Sequence, residues 1–242
     1  MPLRAVLFDL DGTLLDNDMD VFITHYLRRC APHLAHRVAP EAFVQAWLFA
    51  LQVMLRNSGS NLTNQQVFDM NFYPRLGVLP EDMQPSMAAF FATSYHSLRS
   101  LVKPKAGARE TVQAILDAGL TAVVATNPIF PAPAIHQRLE WAGVGDLPFA
   151  LVTTSDNMHA AKPSTSYYTE ILEGICCAPD ECVMIGDDFI NDIQPAAQLG
   201  LRTYWVNLST TTPPNFDPRA RGELHRFYGW LVSTGLLIEP SE

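Results

Sequence analysis

The sequence predicts an α/β protein: a doubly wound parallel sheet with an all-α domain inserted after its first strand. Two observations predict the sheet. Five short apolar runs are continuous rather than alternating, the pattern of strands buried on both faces. Between them lie helical patterns that end at a glycine. A third observation predicts the insert. About 110 residues separate the first two runs, where a whole βαβ unit takes only about 30.

The expected strands are Ala5–Leu10, Thr121–Ala125, Phe149–Thr153, Cys182–Ile185 and Arg202–Val206. Helices are expected over Arg109–Ala118, where Val112, Ile115 and Leu116 share a face, and over Ala134–Trp141, Ser166–Leu172 and Asn191–Leu199. They stop at Gly119, Gly143, Gly174 and Gly200 respectively. Within the insert, helices are expected over Val21–Arg29, Glu41–Arg56, Asn64–Phe72 and Gln84–Leu101, with loops near Pro32–Pro40, Asn57–Thr63 and Pro74–Glu81. Its aromatic and methionine residues, among them Phe43, Trp47, Phe68, Met70 and Phe90, read as helical core. Ser209–Asp217 reads as a loop and Leu224–Leu231 as a closing helix. The expected domains are residues 1–16 with 103–242 for the core and 17–102 for the helical insert.

Composition narrows the function. The 242 residues are 48% hydrophobic and 17% charged, which is a core-forming balance. A net charge of −9 argues against nucleic acid or an anionic membrane as partner. It leaves room for an anionic small molecule where a bound cation reverses the local field. The four cysteines have no zinc-type spacing and read as reduced residues. No stretch reaches the roughly 18 apolar residues of a membrane span. The chain enters a strand too early for a signal peptide, so a soluble, cytoplasmic protein is expected. Oligomeric state is not legible.

In an open parallel sheet, ligands bind at the carboxyl ends of the strands. Strand one ends in Asp9 and Asp11, strand two in Thr126-Asn127, and strand four in Gly186-Asp187-Asp188 with Asp192 beyond. Lys162-Pro163 opens the helix after strand three. Several carboxylates gathered in one place cannot all stay ionised without a cation, and oxygen-only ligands point to Mg²⁺. Asp9 and Asp11 lie on one side of an extended strand end. One can face metal and substrate as a nucleophile while the other exchanges a proton with a leaving group. Gly12 lets the chain turn.

These residues resemble the four motifs of the haloacid dehalogenase superfamily. DLDGT at Asp9–Thr13 is similar to the first, Thr126 to the second, Lys162-Pro163 to the third, and GDDFIND at Gly186–Asp192 to the fourth. The resemblance spans residues 1–16 and about 103–208, and the insert matches the family's type-1 helical cap in position and size. It implies a Rossmann-like core of five strands in the order 5-4-1-2-3. It also implies a phosphatase in which Asp9 attacks phosphorus to form a phospho-aspartate and Asp11 is general acid, then base. Thr126 would hold a phosphoryl oxygen with help near Asn127, which is a candidate substrate contact. Lys162 would offset the charge of Asp9 and the phosphoryl group. Mg²⁺ would bind Asp9, the backbone carbonyl of Asp11, and Asp187, with Asp192 in its outer shell. The role of Asp188 stays open.

Asp11 sorts the chemistry within the superfamily. The dehalogenases and phosphonatases lack an acid two residues after the nucleophile, because their reactions release no alkoxide. Its presence favours hydrolysis of a small phosphorylated metabolite, or a phosphosugar mutase that shields the phospho-aspartate from water. A phospho-aspartate signalling module is a further alternative, but receiver domains are about half this length and carry no such insert. The insert would close over the site, hinging near Leu14–Asn17 and Leu101–Gly107. His159 reads as a loop histidine, and Arg75 and Arg99 as surface groups.

Overall fold

The computed structural model describes residues 2–59, 61–206, 217 and 220–237. Strand β1 (Ala5–Phe8) leads through the short β2 (Leu15–Asp16) into four helices, α1 (Met19–Leu34), α2 (Pro40–Met54), α3 (Asn64–Leu76) and α4 (Pro80–Thr93). A 3-10 segment, Tyr95–Leu101, returns the chain to β3 (Lys103–Pro104), which pairs antiparallel with β2. Then follow α5 (Ala108–Asp117), β4 (Thr121–Val124), α6 (Ala132–Trp141), β5 (Leu151–Val152), α7 (Thr165–Gly174) and β6 (Cys182–Gly186). The chain continues through α8 (Gln194–Gln198), β7 (Arg202–Trp205) and α9 (Phe227–Ser233). The five-stranded sheet runs β5-β4-β1-β6-β7. Counting only these strands in chain order, that is the expected 5-4-1-2-3 read from the other edge. The expected loop over residues 209–216 lies outside the described residues.

The sheet is buried on both faces, as its unbroken apolar strands require. Val6, Phe8, Val124, Val183 and Ile185 face one apolar cluster, which takes in the aromatic residues of the insert. Ala5, Leu7, Val123 and Met184 face the other, against Tyr167, Tyr168 and Ile171 of α7. Period-two alternation splits one buried strand between two layers. Phe22 and Tyr26 of α1 meet Phe130, beyond β4, at ring distances of 5.9 and 5.2 Å. Tyr95 stacks on Trp141 at 5.3 Å. The insert therefore packs on the core through aromatic contacts. Met70 departs from the core reading: it is 63% exposed.

The elements differ from expectation where local chemistry intervenes. Helix α1 runs through Pro32 into its last turn. The expected helix to Leu101 starts at Pro80, a favoured first position, and breaks at Ser94. The expected helix Asn191–Leu199 opens instead as a π-helical turn, Phe189–Ile193, before α8. Strand β5 keeps only two ladder residues, at the edge of the sheet.

Candidate active site

Sheet register assembles the site. Phe8 lies opposite Val124 on one side and Ile185 on the other. The residues that follow therefore emerge side by side at the carboxyl edge: Asp9, then Ala125-Thr126, then Gly186-Asp187. The Asp9 N–H donates to the Ile185 carbonyl at 2.9 Å, which fixes Asp9 one residue past the end of β1. Thr126 is buried, and its carbonyl accepts from the Thr153 and Tyr167 hydroxyls, each at 2.8 Å.

Lys162 lies three residues ahead of α7, whose N-cap is Ser164, so it occupies a loop rather than the helix start. Its N–H donates to Asn127 Oδ1 at 3.3 Å, which gives Asn127 a positioning bond beside its place in the site cavity. Its Nζ donates to Asp9 Oδ1 at 2.8 Å and to Asp192 Oδ1 at 2.5 Å. Burial works against the ammonium, but the charges of Asp192 and Asp9 outweigh it and hold Lys162 protonated.

One ammonium does not balance the acids around it. Carboxylate oxygens of Asp9, Asp187 and Asp192 lie within 4.8 Å of one another. Burial, then the charge of Asp9, pushes Asp187 up to about 7. Burial also pushes Asp192 up to about 8, with Lys162 pulling the other way. Two glycines make the crowding possible. A Cβ on Gly12, at φ +85°, would sit 2.2 Å from Asp187 Oδ2, and one on Gly186 would sit 2.2 Å from Asp192 Oδ2. This donor set is all oxygen, partly buried and over-negative, and a hard divalent cation such as Mg²⁺ fits it. Asp188 is otherwise engaged. Its Oδ1 accepts from the Ile190 and Asn191 N–H groups and its Oδ2 from Asn191 Nδ2, so it caps the π-turn that carries Asp192.

Asp11, half-buried, lines the same cavity of about 280 Å³ with Asp9, Thr126, Asn127, Lys162 and Asp187. Its Oδ1 accepts from Nη2 of Arg138, a fully buried residue of α6. Sequence reasoning missed Arg138. The signal was its spacing: Ala134, Ile135, Arg138 and Leu139 form one buried stripe, an arginine where the pattern calls for an apolar residue. Asn17 was missed too. It lines the cavity, and both atoms of its amide are buried without a hydrogen-bond partner, with no sequence signal to mark them. The other polar candidates lie elsewhere. His159 Nδ1 bonds Glu170 Oε1 at 2.7 Å, Arg75 covers the Phe49 ring at 3.4 Å, and Arg99 donates to the Val102 carbonyl.

Ile129 borders this cavity and a second one of about 280 Å³ between insert and core. Aromatic residues such as Trp47, Phe68, Phe72 and Phe130 line the second cavity, and its charged lining residues are Asp69 and Asp156. Burial, with Asp156 adding to it, holds the Asp69 carboxyl above its ordinary range.

The family model of the haloacid dehalogenase-like hydrolases matches residues 6–206. The chain belongs to this family. Among relatives of this hydrolase, a glyceraldehyde 3-phosphate phosphatase of Pyrococcus furiosus is 26% identical over 84% of this chain and 80% of its own. A phosphoglycolate phosphatase of Xylella fastidiosa is 29% identical over 82% of this chain and 77% of its own. The fold is shared with a 2-haloacid dehalogenase of Pseudomonas syringae, at TM-score 0.64 and 21% identity over 96% of this chain and 99% of that one. It is also shared with a putative β-phosphoglucomutase of Thermotoga maritima, at TM-score 0.55 and 18% identity over the same shares. Among the described residues, no helix of this hydrolase is long and apolar enough to cross a membrane.

Proposed function

We propose that this hydrolase cleaves a small phosphomonoester in a Mg²⁺-dependent reaction through a phosphorylated Asp9. One observation carries the reading: the Lys162 ammonium bridges the Asp9 and Asp192 carboxylates, Asp187 lies close to both acids, and all four side chains line one cavity with Asp11 and Thr126. Asp9 attacks phosphorus, the bond from phosphorus to the ester oxygen breaks, and Asp11 donates a proton to the departing alkoxide. In the second half, water attacks the phosphoryl group, Asp11 accepts its proton, and phosphate leaves with Asp9 restored. Thr126 donates to a phosphoryl oxygen, and Lys162 offsets the negative charge on Asp9 and the phosphoryl group. Asp9, Asp187 and the Asp11 carbonyl would hold the Mg²⁺, Asp192 lying outside them, and its charge would stabilise the transferring phosphoryl group.

The second cavity supports a reading of the leaving group. Its aromatic walls favour an apolar or ring-bearing alcohol, and Asp69 and Asp156 disfavour a second negative charge. The test is phosphate release from a panel of esters, with Mg²⁺ and with chelator. The panel includes phosphoglycolate, glyceraldehyde 3-phosphate, sugar phosphates and benzyl phosphate. Mg²⁺-dependent release that vanishes in Asp9→Asn is expected, with phosphoglycolate among the poorest substrates. A folded, Mg²⁺-binding protein that releases no phosphate from any ester would sink the reading. Turnover of a sugar phosphate only with a bisphosphate activator would move it to the mutase.

A further inference from the structure

We infer that Arg138 is a positioning residue for Asp11, holding one carboxylate oxygen so that the other faces the oxygen leaving phosphorus. The inference rests on the phosphatase reading. Arg138 is 0% exposed, although arginine is seldom buried without full pairing. Its Nη2 donates to Asp11 Oδ1, while Nε and Nη1 are buried with no hydrogen-bond partner. The guanidinium lies 4.5 Å from the ring centre of Phe22 and 5.5 Å from that of Phe130. The two rings wall it in, Asp11 accepts its one hydrogen bond, and the charge of Asp9 acts on it as well.

Such an arrangement is costly to the fold. A desolvated cation with two unpaired nitrogens is less favourable than an apolar side chain of similar length, and buried ion pairs are often replaced by hydrophobic groups without loss of stability. Stability therefore does not account for an arginine in the apolar stripe of α6. Its single hydrogen bond does. With Asp11 protonated, Oδ1 is a carbonyl-type oxygen that still accepts from Arg138, and the hydroxyl on Oδ2 can donate to the leaving oxygen. With Asp11 ionised, Oδ1 accepts as before, and Oδ2 can take the proton of the attacking water. One contact thus fixes the acid in both halves of the reaction, which is the alignment proton transfer requires. Phe22 belongs to α1 and Phe130 to the loop after β4, so the arginine that aims Asp11 is set where insert and core meet.

The test separates acid catalysis from general disruption. General acid help matters for an alkoxide leaving group and little for p-nitrophenolate, and kcat/KM reports only steps through the first irreversible transfer. Arg138→Met is expected to lower kcat/KM for the best alkyl phosphate of the panel about 100-fold. It should leave kcat/KM for p-nitrophenyl phosphate within experimental scatter, and Tm unchanged or higher. Arg138→Lys should recover part of the alkyl loss. In an Asp11→Asn background, neither change should lower alkyl turnover further. Equal losses on both esters, no loss on either, or additivity with Asp11→Asn would overturn the inference and leave the phosphatase reading standing. If Arg138→Met does not fold, Arg138→Lys with the Asp11→Asn cycle decides on the same criteria. A wild-type protein that hydrolyses neither ester overturns both readings.

Discussion

At the scale of single residues, Gly12 and Gly186 decide whether the acids can gather. Gly12 holds φ +85°, and a Cβ there would overlap the Asp187 carboxylate. A left-handed backbone costs a residue with a side chain about 1–2 kcal/mol, so Gly12→Ala should fold with reduced stability. Its larger effect is to push Asp187 away from Asp9 and Asp192. Mg²⁺ is expected to raise the Tm of the wild type, and that rise should shrink or vanish in Gly12→Ala. A full Mg²⁺ shift in the variant would mean that Asp187 is not needed to hold the ion. The glycine was legible in the sequence as part of an acidic turn, as were Asp9, Asp11 and the acids after β6, because parallel strands deliver their ends to one edge. Arg138 was not legible, since an arginine inside a helical pattern reads as a solvated group until its neighbours are placed. Nor was Asn17, whose unpaired amide is a property of the folded cavity alone.

At the scale of elements, the strands were legible because burial on both faces leaves unbroken apolar runs, and the helices because glycine ends them. What escaped were places where a side chain overrides the period. The π-turn after β6 is the clearest. The carbonyl of Asp188 accepts from the N–H of Asp192 at 2.8 Å and from that of Ile193 at 3.4 Å, so one turn widens and carries Asp192 back toward Lys162. The Asp188 side chain caps that turn with two backbone bonds. Asp188→Asn retains an oxygen to accept them and should keep Mg²⁺ dependence and most activity. Asp188→Ala removes the cap, should cost about 1 kcal/mol in stability, and should lower activity through the misplaced Asp192. If Asp188→Asn instead abolishes the Mg²⁺ response as fully as Asp187→Asn, then Asp188 is a metal ligand and its capping bonds are secondary. Thermal shifts with and without Mg²⁺ on the three variants distinguish the cases.

At the scale of the molecule, the insert grips the loop that delivers Lys162. The insert's size was legible as an over-long connection; its grip was not, because it is made by asparagine amides and backbone groups far apart in the chain. Asn64, fully buried, donates from Nδ2 to the Ala160 carbonyl at 2.9 Å and accepts from Asn57 Nδ2 at 2.9 Å. Its own N–H donates to the Met158 carbonyl, the Gly59 N–H to His159, and the Ala161 N–H to Asn57. Apart from the Asn57–Asn64 bond inside the insert, each of these bonds lands within four residues of Lys162. An opening of the insert at the expected hinge near β2 and β3 would have to break these bonds, which would couple closure to the placement of the ammonium. Asn64→Ala strips the bond to Ala160 and removes the oxygen that accepts from Asn57 Nδ2, at a cost of about 1–3 kcal/mol. Amide exchange should then speed up in residues 57–65 and in 155–161 alike, with Mg²⁺-dependent turnover falling while the far strand β7 keeps its protection. Faster exchange confined to 57–65 would show that the core loop holds Lys162 unaided, and that the insert governs access to the site without setting its charges.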